Sequence, residues 1–163
     1  MASTPGELTS LLSRLAAARV EFVLVGGLAA VAQGAPITTH DIDIVPRRTP
    51  ENVAALLAFL ETIHAQYRGR SSDQVLQPTA GILSGSGHSL LMTDLGPLDV
   101  LGAIEGGRTF DELVPHALDI PIGEHLVRVL GLPMLAELKR DSNHPKDRYT
   151  LAILEQTIRR GSR

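Results

Sequence analysis

Residues 22–48 read FVLVGGLAAVAQGAPITTHDIDIVPRR, and the fold turns on how this stretch divides. The four apolar residues at 22–25 make a short central strand, because a run without polar alternation leaves no face for water. Gly26-Gly27 breaks that strand. A short helix is expected over residues 28–33, ending at Gly34, and residues 41–45 then alternate as a second strand closed by Pro46. Side chains two apart in a strand share a face, so Asp41 and Asp43 point one way while Ile42 and Ile44 fill the core.

Two carboxylates so placed lie roughly 6–7 Å apart, at about 3.3 Å rise per residue, and repel unless a positive charge stands between them. A hard divalent cation such as Mg²⁺ takes oxygen ligands and answers that need. Asp99, in PLDVLG, is flanked by Leu98 and Val100, so it too projects from the core, on a strand able to neighbour the first. Asp94 in LMTDLG is the rival third carboxylate; apolar neighbours on both sides favour Asp99. Three converging carboxylates suit a two-metal phosphoryl-transfer site, in which one ion lowers the pKa of an attacking hydroxyl and both stabilise charge on the phosphate. Gly26-Gly27 then has a use. Glycine lets backbone approach a phosphate closely, and the helix behind it offers N–H groups and a positive dipole end. Each feature also has a plain alternative: a solvated acidic edge strand, a ligand-free turn, a hairpin residue.

The rest of the chain supplies a scaffold. Thr4-Pro5-Gly6-Glu7 starts a helix with Thr4 as N-cap, followed by Leu8, Leu11, Leu12 and Leu15 at helical spacing. Thr49-Pro50 caps a third helix with Val53, Leu56, Leu57 and Leu60 as its buried stripe. Residues 67–87 turn polar and glycine-rich, as a loop or weak edge strands do. HSLLMTD and LDVLG form a β-hairpin around Leu95-Gly96-Pro97. A short helix from Phe110 and strands near 117–120 and 126–130 follow. Helices over 132–140 and 145–159 close the chain. The pattern is α+β, a small mixed sheet packed with helices in a single domain spanning residues 1–163.

Composition narrows the chemistry. The chain has 163 residues, 44% of them apolar, with no cysteine and a formal charge of −3, which excludes disulfides, thiolate nucleophiles and cysteine-held metals. The charge gives no basic footprint for wide nucleic-acid wrapping. His40, His64, His88, His116, His125 and His144 show no metal-ligand spacing, and no G-x-S-x-G elbow is present. The first ten residues carry no secretion signal and no apolar run can span a bilayer, so a cytoplasmic location is expected.

VGGLAAVAQGAPITTHDIDI resembles the signature of the polymerase-β-like nucleotidyltransferase superfamily, a GG or GS pair followed by an Asp-x-Asp strand. VLGLPMLAELKRDSNHPKDRYTLAIL is similar to the end of the minimal bacterial nucleotidyltransferases of the abortive-infection toxin type. The resemblance implies transfer of a nucleoside monophosphate from an NTP to an acceptor hydroxyl on RNA, protein or a small molecule, with Mg²⁺ or Mn²⁺ as cofactor. It implies Asp41, Asp43 and Asp99 as catalytic metal ligands and Gly26, Gly27, Lys139, Lys146 and Asp147 as the nucleotide site. A cognate toxin or antitoxin protein is the implied partner. Thr150 departs from the family, which often has a second acid three positions after the Asp147 position. That departure supports an alternative, a nucleotide-binding module or antitoxin-like partner without turnover. A phosphohydrolase using the same carboxylates is a third reading.

Overall fold

The structure is a computed structural model describing residues 5–69 and 75–162. The expected cap Thr4 lies outside the described residues. Helix α1 (Pro5–Ala17) buries Leu8, Leu11, Leu12 and Leu15, the stripe that its spacing predicts. Strand β1 (Phe22–Val25) is buried at all four positions. Helix α2 (Gly26–Val31) begins at the glycine pair rather than after it. The chain passes from strand to helix within one residue because Gly26 takes φ +72°, a conformation open to glycine.

Strand β2 (Ile42–Pro46) starts one residue later than expected, which leaves Asp41 outside it and makes Pro46 its last residue. Helix α3 (Pro50–Thr62) is capped by the Thr49 hydroxyl, which accepts from the Asn52 N–H. Val53, Leu56, Phe59 and Leu60 are buried, while Leu57 is only half-buried. Asn52 itself is buried. Its amide donates to the Glu21 carbonyl at 2.8 Å and the Arg47 carbonyl at 2.7 Å, and accepts from the Glu21 N–H at 2.7 Å. One side chain thus ties the entry to β1 to the exit from β2.

The polar stretch holds strand β3 (Gln66–Tyr67) and a helix absent from the sequence reading, α4 (Ala80–Leu83). The hairpin is β4 (His88–Thr93) and β5 (Gly96–Leu101), paired antiparallel from His88↔Leu101 to Thr93↔Gly96. Its turn is therefore Asp94-Leu95, with Gly96 and Pro97 inside the strand. The Thr93 hydroxyl closes the turn by donating to the Gly96 carbonyl and accepting from the Leu95 N–H. Helix α5 (Phe110–Leu113), strands β6 (Ala117–Ile122) and β7 (His125–Leu130), and helices α6 (Leu132–Arg140) and α7 (Pro145–Gly161) complete the order.

The seven strands form one mixed sheet in the order β3-β4-β5-β2-β1-β7-β6. β1 pairs β2 antiparallel and β7 parallel; β2 pairs β5 parallel. This is the α+β architecture expected. Ile42, Ile44, Leu98 and Val100 are buried, so the aspartates between them are turned to the opposite face. Among the described residues no helix is long and apolar enough to cross a membrane.

Candidate active site

The parallel pairing of β2 with β5 sets Asp43 directly beside Asp99. Cross-strand partners project from the same face. Asp99 in turn pairs with Leu90 on β4, and the Arg68 N–H donates to the Leu90 carbonyl at 2.9 Å. Arg68, Leu90, Asp99 and Asp43 therefore form one row across four adjacent segments. Asp94, the rival third carboxylate, sits at the hairpin turn with His64 at 2.5 Å.

Asp43 is half-buried, and its pKa is pushed up from 3.8 to about 7. Burial is the main cause, followed by the Asp99 charge and a hydrogen bond between the two carboxyls, then the Asp41 charge; Lys139 pulls the other way. Asp41 is exposed, one residue before the strand. Asp43 and Asp99 meet as cross-strand partners, and the Asp41 charge acts on Asp43 from the residue before the strand. Among the described residues no three His, Asp or Glu side chains stand as a cluster able to hold a metal ion. Asp43 is nonetheless desolvated beside a second carboxylate, and Arg68 meets that carboxylate from the far side. Paired oxygen donors in that condition fit a hard divalent ion.

Gly26 joins this pair to a pocket. A Cβ at Gly26 would collide with the Asp43 carboxylate, and one at Gly27 would press on the Thr39 side chain at 3.1–3.2 Å. Gly26, Gly27, Thr38, Thr39, Lys139, Lys146 and Asp147 line a pocket of about 280 Å³. Five of the sequence-named residues thus share one space, and Thr150 lines it too. Lys139 pairs with Asp147 at 3.1 Å, and the Ser142 hydroxyl donates to the other Asp147 oxygen at 2.5 Å. The Ser142 hydrogen bond, then Lys139, hold the Asp147 carboxyl below its ordinary range. Lys146 is exposed. The Thr150 hydroxyl turns back to the Lys146 carbonyl at 3.2 Å.

A larger cavity of about 500 Å³ lies beyond the 37–40 loop, lined by Leu8, Leu12, Leu28, Val31 and Ile120 among others. Among the described residues no Lys, Arg, Asp or Glu lines it, so the smaller pocket, with Lys139 and Lys146, is the better nucleotide candidate. Arg47 and Arg48 lie past the other end of β2 and are bonded there, Arg47 to Glu21 at 3.2 Å and Arg48 to the Ser84 carbonyl at 3.4 Å. Arg68, Thr39 and Ser142 escaped the sequence reading. Their proximity comes from strand register and helix packing, which leave no local pattern.

No protein-family model and no curated protein matches the chain. Solved structures do. A Thermotoga maritima protein assigned by inference as a nucleotidyltransferase is 20% identical, with 89% of this chain and 88% of that one covered and a TM-score of 0.57. The lincosamide antibiotic adenylyltransferase LnuA, solved with lincomycin bound, is 14% identical over 96% of this chain and 99% of its own, with a TM-score of 0.64. The antibiotic-resistance factor ANT(2″)-Ia is 14% identical, with 95% and 86% covered and a TM-score of 0.58. The chain shares its fold with these nucleotidyltransferase structures.

Proposed function

We propose that the 163-residue chain is a single-domain, divalent-metal-dependent nucleotidyltransferase that moves a nucleoside monophosphate from an NTP to an acceptor hydroxyl and releases pyrophosphate. The observation that carries this reading is the in-register Asp43–Asp99 pair abutting Gly26, at the edge of a pocket that also holds Lys139 and Lys146. Asp43 and Asp99 would hold Mg²⁺ or Mn²⁺, with Asp41 joining them from the residue before the strand. The ion supplies charge stabilisation to the phosphate and acidity to the acceptor hydroxyl. Gly26 and Gly27 leave backbone space for phosphate oxygens. Lys139 and Lys146 neutralise triphosphate charge, and Asp147 with Ser142 orients the Lys139 ammonium. Asp99, besides holding the ion with Asp43, would help to take the acceptor proton.

Two of the solved neighbours are named for antibiotics, which makes a small-molecule hydroxyl the acceptor class to try first, ahead of RNA or a toxin–antitoxin target. A nucleotide-binding module without turnover is the second reading. Thr150, in the pocket and bonded back to its own helix, favours it. The test is incubation with each labelled NTP, Mg²⁺ and a panel of small-molecule, RNA and protein acceptors, with pyrophosphate release followed alongside. Release with label on one acceptor class, absent in Asp43→Asn, is expected. Nucleotide binding with no release on any acceptor would establish the module instead.

A further inference from the structure

Arg68 is the residue near the site that neither the sequence pattern nor the nucleotide pocket explains. It reaches Asp99 across β4, from the side opposite β2, and is fixed at three points. Its N–H donates to the Leu90 carbonyl at 2.9 Å. One guanidinium nitrogen donates to the Leu91 carbonyl at 3.1 Å, and another to Asp99 Oδ1 at 2.6 Å. The Arg68 and Asp99 side chains are only 26% and 16% exposed, against 44% and 47% for Arg47–Glu21. A long side chain held by backbone and carboxylate together, out of water, is not the usual loose surface pair.

We propose that Arg68 is a positioning residue for Asp99: it stands in for a cation while the site is free, fixes the direction of the carboxylate, and yields Oδ1 when a divalent ion enters. The inference rests on the metal-dependent reading above. Asp99 is crowded by Asp43 on one side and needs positive charge on the other; Arg68 supplies it at a fixed place. The anchor on the Leu91 carbonyl keeps the guanidinium beside the strand after Oδ1 is released, so the carboxylate has a reference to return to.

Affinity for the ion and turnover should therefore move in opposite directions when Arg68 loses its charge. A purely structural role would move neither, or lower both. The experiment is a Mn²⁺ titration of the full chain without nucleotide, read by the electron paramagnetic resonance signal of free Mn²⁺, with thermal melting as the check of folding. Arg68→Met is expected to bind Mn²⁺ roughly tenfold more tightly than wild type, from loss of a competing charge a few ångströms away. Arg68→Lys should stay close to wild type. Arg68→Gln keeps a donor for the Leu91 carbonyl and carries the same expectation as Arg68→Met should that variant fold poorly. Unchanged or weaker Mn²⁺ binding in the uncharged variants overturns the proposal, as does no binding in any of the chains. Pyrophosphate release measured on the same samples separates the two readings. Release by wild type without a change in Mn²⁺ affinity removes Arg68 and keeps the transferase. Tighter Mn²⁺ binding in chains that release nothing keeps Arg68 and removes the transferase.

Discussion

Asp43 carries the conflict on which the site is built. The folded chain keeps its proton up to about pH 7, against 3.8 for the free side chain. The native state therefore binds more protons than the unfolded state between those values, so this group's contribution to stability is full below pH 3.8 and is lost as pH rises through about 7. Asp43→Asn removes the loss. Scanning calorimetry should show the variant melting above wild type at about pH 8 and level with it near pH 4, a gain of no more than about 4 kcal/mol. Mg²⁺ at about pH 8 should raise the wild-type melting temperature and leave the variant's unchanged. A difference between the two chains that does not vary with pH would contradict the assignment. Gly26 shows the same crowding from the backbone side. Gly26→Ala places a methyl group at φ +72° against the Asp43 carboxylate, and urea unfolding should register a loss of about 1–3 kcal/mol. Asp43 and Asp99 were legible in the sequence because each interrupts an apolar strand. Arg68 was not, since its place beside Asp99 follows from how β3, β4 and β5 pair, which no window of sequence records.

The elements were legible where periodicity is long and blurred where it is short. α1, α3, α6 and α7 repeat their apolar positions over several turns, and their spans follow the reading closely. α4 has four residues in a glycine-rich stretch, too few for a helical period to stand out. The hairpin turn was displaced because Gly96 and Pro97 are turn-forming types, yet the Thr93 hydroxyl closes the turn one step earlier. α7 is the element most weakly held. Of its seventeen residues only Leu154 is buried, and its packing is chiefly on α6, with Lys139–Asp147 and Arg140–Glu155 as ties. Leu154→Ala should loosen α7 ahead of the sheet, at a cost of about 2–5 kcal/mol. Hydrogen exchange should quicken in α7 alone, and NTP affinity should fall several-fold as Lys146 and Asp147 lose their places. Uniform exchange across the sheet, or unchanged NTP affinity, would show that α7 contributes nothing separate to the pocket.

At the scale of the whole molecule, the seven-stranded order brings together residues from β2, β5, α2, α6 and α7 that lie more than a hundred positions apart, as Gly26 and Asp147 do. Solved structures sharing only 14–20% identity hold the same fold over most of their length. Strand order was the part of the fold that the sequence left open, because alternation marks a strand without naming its neighbour. The site was half legible: the pairing of Asp43 with Asp99 followed the expectation, whereas Asp41 stands one residue before the strand that alternation had extended to it. The account stands on one claim, that a nucleotide and a divalent ion meet at these two carboxylates. Calorimetric titration of a non-hydrolysable NTP, with and without Mg²⁺, tests it on wild type and on Asp43→Asn and Asp99→Asn. Binding that requires Mg²⁺ and weakens at least about tenfold in each variant is the predicted result. Binding of equal strength in all three chains, or binding indifferent to Mg²⁺, would contradict it.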